Sequence, residues 1–330
     1  MSAAVESRLA WVAVDWGSSN LRAWALDARG EVLASAGAGR GMLALAPDDY
    51  EAELKRVIGD WLPATGRVPV RICGMAGARQ GWREAAYLPV PTRLEALARG
   101  AVAPAVADPR LAVALLPGLC QTADEGGRAF DVMRGEETQL AGLAAREPDV
   151  AGLACLPGTH AKWARLEAGA VTRFTTCLTG ELFALLARQS VLKHSLAQGD
   201  DDLADPSCRD AFVAAVREIR SAPAAYSAKL FGLRAADLLD PGLPRGPARA
   251  SRLAARLSGL TIGLELAGIL DTEDGAAAGP VTLIGGASLC ARYALALDAL
   301  GRDSRCLDGE AAVLAGLRLA HDALGPAEGA

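Results

Sequence analysis

The sequence predicts an α/β protein of two domains, each a mixed sheet flanked by helices. Three observations predict it. The 330 residues fit two domains at roughly 150 residues each. Apolar runs of strand length alternate with stretches of helical period, as in strand–helix–strand units. One local pattern, strand–polar glycine turn–strand, occurs twice, at residues 11–37 and again at 150–175.

The first copy reads WVAVDWGSSNLRAWALDARGEVLASAG. An apolar run from Trp11 to Val14 ends in Asp15, and a tight turn follows at residues 16–20. A second run holds Leu21, Ala23, Ala25 and Leu26. Ala28-Arg29-Gly30 turns the chain into a third strand at 31–36. Three short strands joined by tight turns make a β-meander. A glycine-rich loop occupies 39–43. Asp48 and Glu51 have capping-box spacing ahead of an amphipathic helix at 48–62. A buried strand at 68–73 runs into a polar, glycine-rich loop at 74–91. Residues 94–100 suit a short helix and 111–116 a strand. A helix follows Gly135, and a charged, Pro-containing break at 147–149 separates a domain at 1–147 from one at 148–330.

The second copy has a strand at 150–156, a turn at 157–163 (PGTHAKW) and strands at 164–167 and 171–175, with a turn at Gly169. Thr179-Gly180-Glu181 is expected to cap a helix reaching about residue 192. The acidic turn at 199–205 reads as a solvated helix cap rather than a metal site. Helices are expected at 207–220, 226–239 and 249–270. In the last, Gly259 and Gly263 lie one turn apart and permit close packing. A buried strand at 281–284 ends in Gly285-Gly286, and a helix at 289–300 and a strand at 305–307 follow. A closing helix opens at 308–310 and is a candidate to pack back toward the N-terminal domain. The tail from Gly325 is expected to fray.

The chemistry concentrates in the turns. Asp15 sits at the carboxyl end of a buried strand, where a carboxylate is costly unless paired with a cation. Gly17, Ser18 and Ser19 offer N–H groups and hydroxyls to a single anion. An oxygen ligand for Mg²⁺ beside such a cradle suits phosphoryl transfer; the structural alternative is a plain hairpin with a capping Asp. Arg79, Gln80, Trp82 and Arg83 suit a small anionic polyol, through bidentate guanidinium and amide contacts. A solvated loop in which Trp82 merely packs is the alternative. Glu136 and Glu137 open a helix, where the dipole favours acid and where either is placed to serve as a general base. His160 reads as a structural hydrogen-bonding residue or a catalyst. Lys162 reads as a charge for a transferred phosphoryl group or as a solvated strand residue. Gly285 and Gly286 let a flat base or ribose approach the backbone.

Bulk properties narrow the classes. The net charge of −5 argues against non-specific nucleic-acid binding. No leader-like segment opens the chain, and no apolar run reaches the ~18 residues of a membrane span. A cytoplasmic protein is therefore expected. The seven Cys are scattered without a C-x-x-C pair, so neither a zinc site nor a disulfide framework is expected.

The motifs VDWGSSNLRAW, GRGML, GMAGARQGW with AAYLPVP, MRGEETQ, LPGTHAKW with FTTCLTGEL, and LIGGASLCARY occur in this order. Together they resemble the 2-dehydro-3-deoxygalactonokinase (2-keto-3-deoxy-galactonate kinase) family of the actin-like (ribonuclease H-like) ATPase and sugar kinase superfamily. GMAGARQGW and RGEETQ are its most specific segments, since generic actin-like kinases lack them. The turn GTHAKW departs from the more glycine-rich form of other members. The resemblance implies a two-domain actin-like fold with ATP and sugar in a cleft. It also implies ATP- and Mg²⁺-dependent phosphorylation of 2-dehydro-3-deoxy-D-galactonate at the 6-hydroxyl, in galactonate breakdown. Asp15 would hold Mg²⁺. Gly17, Ser18, Ser19 and Asn20, with Gly158, Thr159 and Lys162, would meet the phosphates. Gly285, Gly286 and Leu289 would line the adenine pocket, and Glu136 or Glu137 would take the hydroxyl proton. Arg79, Gln80 and Trp82, with Arg22, would bind the sugar acid. The implied partners are the two small molecules, with neither nucleic acid nor membrane; a homodimer stays open. Alternatives are a kinase for 2-keto-3-deoxygluconate or an amino sugar, and a sugar-independent ATPase or phosphatase.

Overall fold

Residues 5–123, 129–197, 199, 202–273 and 279–325 are described by the computed structural model. The chain forms two units. One comprises Met1–Ala151, Arg165–Phe174 and Gly309–Ala330; the other comprises Gly152–Ala164 and Thr175–Asp308. The division differs from a single cut at 147–149 in two places, because a β-strand segment and the closing helix both belong to the first unit.

In the first unit, strands β1 (Trp11–Trp16), β2 (Leu21–Leu26) and β3 (Val32–Ala38) form the meander. Helix α1 (Tyr50–Ile58) leads to β4 (Val68–Gly74). Short strands β5 (Tyr87–Pro89) and β6 (Thr92–Arg93), then β7 (Leu111–Leu115), β8 (Gly118–Gln121) and β9 (Asp131–Met133), precede helix α2 (Glu136–Arg146). The main sheet runs β3-β2-β1-β4-β7. The meander pairs are antiparallel, while β1–β4 and β4–β7 are parallel. β1 is central and covered on both sides, which explains its unbroken apolar run. Val12, Val14 and Trp16 pack with Tyr50, Leu54 and Ile58 of α1. Trp11 and Ala13 point the other way, onto Val313, Leu317 and Ala320. Each such fully buried Val contributes about 1.5–3 kcal/mol.

The second unit holds β10 (Gly152–Leu156), the first part of β11 (Ala161–Glu167) and the end of β12 (Ala170–Cys177), then α3 (Thr179–Gln189), α4 (Lys193–Leu196), α5 (Pro206–Ser221), α6 (Tyr226–Leu239) and α7 (Pro247–Glu273). Strand β13 (Val281–Gly285), helix α8 (Ala287–Asp298) and β14 (Ser304–Asp308) complete it. The strand order β12-β11-β10-β13-β14 repeats the β3-β2-β1-β4-β7 order of the first unit. The parallel pairs β10–β13 and β13–β14 likewise match β1–β4 and β4–β7. This duplicated topology is the actin-like ATPase fold.

Helix α9 (Gly309–Leu324) closes the chain within the first unit. It crosses α2 at contact distance, because Gly142 lies against the Ala312 carbonyl and Gly316 against the Thr138 carbonyl. Gly259 and Gly263 of α7 pack on Phe212, Ala215, Val216 and Ile219 of α5 in the same way. Helix α7 is long and apolar enough to cross a membrane by length and composition alone, although charged residues interrupt its apolar run. Yet 83% of its most apolar window is buried inside the protein, and a helix surrounded by neighbours must be apolar all round.

Several local expectations change. Asp48 makes no cap; Asp49 accepts from the Ala46 N–H at 3.0 Å instead. Glu51 turns away from the helix start to accept from Ala107 and Asp108 N–H, both at 2.8 Å. The helix is correspondingly shorter, with a 3₁₀ turn at each end. Thr179 is buried and does not cap α3. Asp205 does cap α5, accepting from Ser207 and Cys208 N–H; Asp200 and Asp201 of the same acidic turn lie outside the described residues. Strands β5, β8 and β9 were not expected, being three or four residues long. The seven cysteines are all free.

A side chain at residue 142 would overlap the α9 backbone. Gly142→Val is therefore expected to lower stability by about 1–3 kcal/mol, read as a fall in the urea midpoint at unchanged slope.

Candidate active site

Each unit carries its own candidate turn. In the first, a hollow of ≈ 630 Å³ is lined by Asp15, Gly17, Ser18, Ser19, Asn20 and Arg22, with Gly37, Ala38 and Gly39. The turn that bears it is rigidly built. Gly17 N–H bonds Asn20 carbonyl oxygen at 2.9 Å. The carbonyls of Ser19, Gly17 and Ser18 accept from Gly41, Met42 and Leu43 N–H at 2.9–3.1 Å. Gly41 must be glycine, since a Cβ there would overlap the Ser18 carbonyl. The carbonyl edge of the turn is thus occupied by the GRGML loop. The N–H groups of Ser18 and Ser19 take no acceptor among the described residues. Successive N–H groups without acceptors suit an anion-binding concavity.

Asp15 ends β1 with its side chain 18% exposed. Its Oδ2 accepts from Arg22 Nη2 at 2.7 Å, the cation that a carboxylate at this depth needs. Arg22 also lies 3.6 Å from Glu310 Oε2. The Cys73 thiol is 3.9 Å from Asp15 Oδ1, and burial, then Asp15 and Glu137, push it well above the usual thiol range.

At the start of α2 the two glutamates differ. Glu137 is fully buried, accepting from Gly135 N–H at 2.7 Å and Thr138 Oγ1 at 3.0 Å. Burial, then the charge of Glu136, raises its carboxyl to about 8 against those two donors. Glu136 is half-buried, with Oε2 accepting from Arg134 N–H at 3.1 Å. The loop at 74–91 is tightly self-bonded, with Trp82 and Ala85 N–H donating to Ala76 and Gly77 carbonyls. Trp82 packs into an aromatic group, 6.0 Å from Tyr50 and 6.4 Å from Trp16. Arg79 extends 80% exposed, 3.4 Å from Glu84, and Gln80 is exposed beside it. Arg83 is tied back to the Ala103 carbonyl at 2.8 Å. The buried Arg134, which sequence reasoning missed, fastens this loop by donating to the Ala85 carbonyl at 2.7 Å and lying over Tyr87 at 4.3 Å.

The second half repeats the first turn's construction. Gly158 and Thr159 lie between β10 and β11. Gly180 packs on the Gly158 carbonyl and Thr159 Cα, and Glu181 N–H bonds the Thr159 carbonyl at 2.9 Å. The Gly158 and Thr159 N–H groups again have no acceptor among the described residues. His160 Nε2 meets Glu181 Oε2 at 2.5 Å, both side chains half-exposed. Lys162 is not solvated: it is buried on β11, with Nζ 3.3 Å from the His160 carbonyl. A cavity of ≈ 170 Å³ brings Gly158 together with Leu289. Thr179, Gly180, Phe183, Ser258, Thr261, Ile262, Arg292 and Tyr293 complete its walls. Gly285 lies near Pro157 and Gly286 faces open space. The wall residues from α7 were missed because helical periodicity marked them only as core.

Comparison with known proteins decides the family. The model of the 2-keto-3-deoxy-galactonokinase family matches residues 15–320. The chain belongs to that family. It is 41% identical over 316 residues to a probable 2-dehydro-3-deoxygalactonokinase of Rhizobium meliloti (strain 1021), covering 96% of this chain and 98% of the relative. It is 36% identical over 312 residues to the 2-dehydro-3-deoxygalactonokinase of Escherichia coli (strain K12), covering 94% and 97%. The crystal structure of a Sinorhizobium meliloti protein assigned to the same activity superposes with a TM-score of 0.82 at 39% identity, covering 96% of this chain and 99% of that one.

Glu137 gives a pH signature. Its folded carboxyl, raised from 4.5 to about 8, binds a proton that the unfolded chain has lost over that interval. The stability it contributes is complete below about 4.5 and disappears as the pH rises toward 8. Glu137→Gln is expected to flatten this decline, measured as denaturant midpoints from pH 5 to 8.

Proposed function

We propose that this member of the 2-keto-3-deoxy-galactonokinase family transfers the γ-phosphoryl group of ATP to the 6-hydroxyl of 2-dehydro-3-deoxy-D-galactonate. The observation that carries the reading is the joint presence, in a chain of this family, of Asp15 and an adjoining turn whose Ser18 and Ser19 N–H groups take no acceptor among the described residues. The hydroxyl oxygen bonds to phosphorus, the bond from phosphorus to the departing ADP oxygen breaks, and the hydroxyl proton goes to a carboxylate.

Asp15 fits a magnesium ligand, since it is a hard oxygen donor whose Oδ1 has no closer partner than the thiol at 3.9 Å. Among the described residues no group of three or more His, Cys, Asp or Glu converges for a metal. Asp15 would therefore hold Mg²⁺ together with water and the nucleotide's own phosphates. The ion supplies positive charge to the phosphates when bound. Ser18 and Ser19, with Gly17 and Asn20, receive phosphate oxygens on one turn, and Gly158 and Thr159 do so on the other. Lys162 adds positive potential from behind the second turn. Gly286, open to approach, with Gly285 and Leu289 takes the adenosine end.

Glu136 is the carboxylate for the hydroxyl proton, because Glu137 has no exposed surface with which to meet a substrate. Glu137 instead holds the backbone of Gly135. The exposed guanidinium of Arg79, which must exchange Glu84 for the substrate, reads the substrate carboxylate, with Gln80 on its hydroxyls and the exposed part of Trp82 against its carbon chain. Arg22, engaged with Asp15, orients that carboxylate and reaches substrate only at its second nitrogen.

A coupled assay of ADP release with both C4 epimers of the sugar acid tests the assignment, with the galacto epimer expected to be preferred. Asp15→Ala and Glu136→Gln should each lower kcat by about 10²-fold or more, while Glu137→Gln retains measurable turnover. Unchanged rates in the first two would remove both roles. Arg79→Ala is expected to raise KM for the sugar acid about tenfold or more with KM for ATP nearly constant; equal changes in both would move the carboxylate site elsewhere.

A further inference from the structure

Glu265 lies on α7, distant in sequence from every motif above, and is only 6% exposed. It has no cationic partner among the described residues. Instead three neutral donors converge on its carboxylate. Trp163 Nε1 donates at 2.6 Å and the Tyr293 hydroxyl at 2.9 Å, and the Thr179 hydroxyl is the third. Trp163 and Tyr293 are each 2% exposed and Thr179 8%. All four residues belong to the second unit.

Each donor comes from a different element, and each element carries one part of the nucleotide half-site. Trp163 is on β11, the strand leaving the Gly158–Thr159 turn. Thr179 precedes Gly180 and Glu181, which pack on and hydrogen-bond to that turn. Tyr293 is on α8, whose Cys290 Sγ lies 3.5 Å from where a Gly285 side chain would begin. Thr179 and Tyr293 also form walls of the cavity shared with Gly158 and Leu289. We infer that Glu265 is a positioning residue for nucleotide binding, one buried carboxylate that fixes the second phosphate turn, the cavity wall and the adenosine segment in a common geometry.

The chemistry explains why a carboxylate sits in an otherwise apolar helix. Burial pushes its carboxyl above the usual carboxylate range, while the three donors oppose that shift. Only an acceptor-rich group can receive three donors at one point. An apolar residue would leave three buried donors unpaired, and they would turn toward other acceptors, carrying their segments with them.

This inference rests on the proposed nucleotide role of the second unit, and the experiment separates the two. ADP binding to the full chain is measured by calorimetry, with KM for ATP and for the sugar acid in parallel. If the unsubstituted protein binds no ADP, the proposed function fails. Glu265→Leu is expected to weaken ADP binding and raise KM for ATP by about tenfold or more, with KM for the sugar acid within about twofold; Glu265→Gln, which keeps an acceptor and shape, should recover most of the loss. Thr179→Val and Tyr293→Phe each delete one donor and report independently should the Leu variant fail to fold; each is expected to weaken ADP binding about two- to fivefold. Nucleotide binding that stays unchanged in variants of lowered thermal stability, or equal shifts in both KM values, would overturn the positioning role.

Discussion

A backbone-on-backbone contact shapes the candidate turn in each unit. Gly41 packs on the Gly17–Ser18 turn, and Gly180 packs on the Gly158–Thr159 turn. The loop at 41–43 donates to three carbonyls of the first turn, and Glu181 in the first turn of α3 donates to the Thr159 carbonyl of the second. A carbonyl row engaged in this way leaves the opposite edge, the N–H groups, as the available face. An anion cradle follows from the covering loop as much as from the turn. Neither contact tolerates a Cβ, so both glycines are dictated by distance rather than by backbone dihedral.

Around the first turn, the polar groups sit where the strands end. β1 and β4 are parallel neighbours, and their register places Asp15 opposite Cys73. Glu137 lies close enough to raise the same thiol. Two carboxyl groups thus flank one buried sulfur at the carboxyl edge of the sheet, where open α/β sheets bind ligands. Arg22 neutralises one of them through the antiparallel register Asp15↔Arg22. The other has no cation among the described residues, and burial pushes its carboxyl up to about 8. Two acidic neighbours in sequence, Glu136 and Glu137, therefore end in different electrostatic surroundings.

Local pattern made much of this fold legible. The meander, the strand at the centre of each sheet and the long helices follow from periods of two and 3.6 residues, and Gly259 and Gly263 foretold a close helix crossing. Short elements were not legible: β8 and β9 run only four and three residues, too short for any period. Asp48 and Glu51 had capping spacing, yet Glu51 bonds to residues 107 and 108, a partner more than fifty positions away. Lys162 looked like a turn residue and became a buried strand residue, because β11 begins earlier than its polarity suggested. Helix α7 hid a buried carboxylate and three wall residues of a cavity, Ser258, Thr261 and Ile262, behind a run of leucines.

By itself the sequence determined the element types, the doubled strand–turn–strand unit and the family, since these depend on residue order and near neighbours along the chain. Only the tertiary structure decided which glutamate is buried, which arginine is engaged, what covers the two turns and where Glu265 finds its donors. Burial and partner choice depend on segments that meet in space from distant positions. No local pattern encodes the depth at which a charge will come to rest.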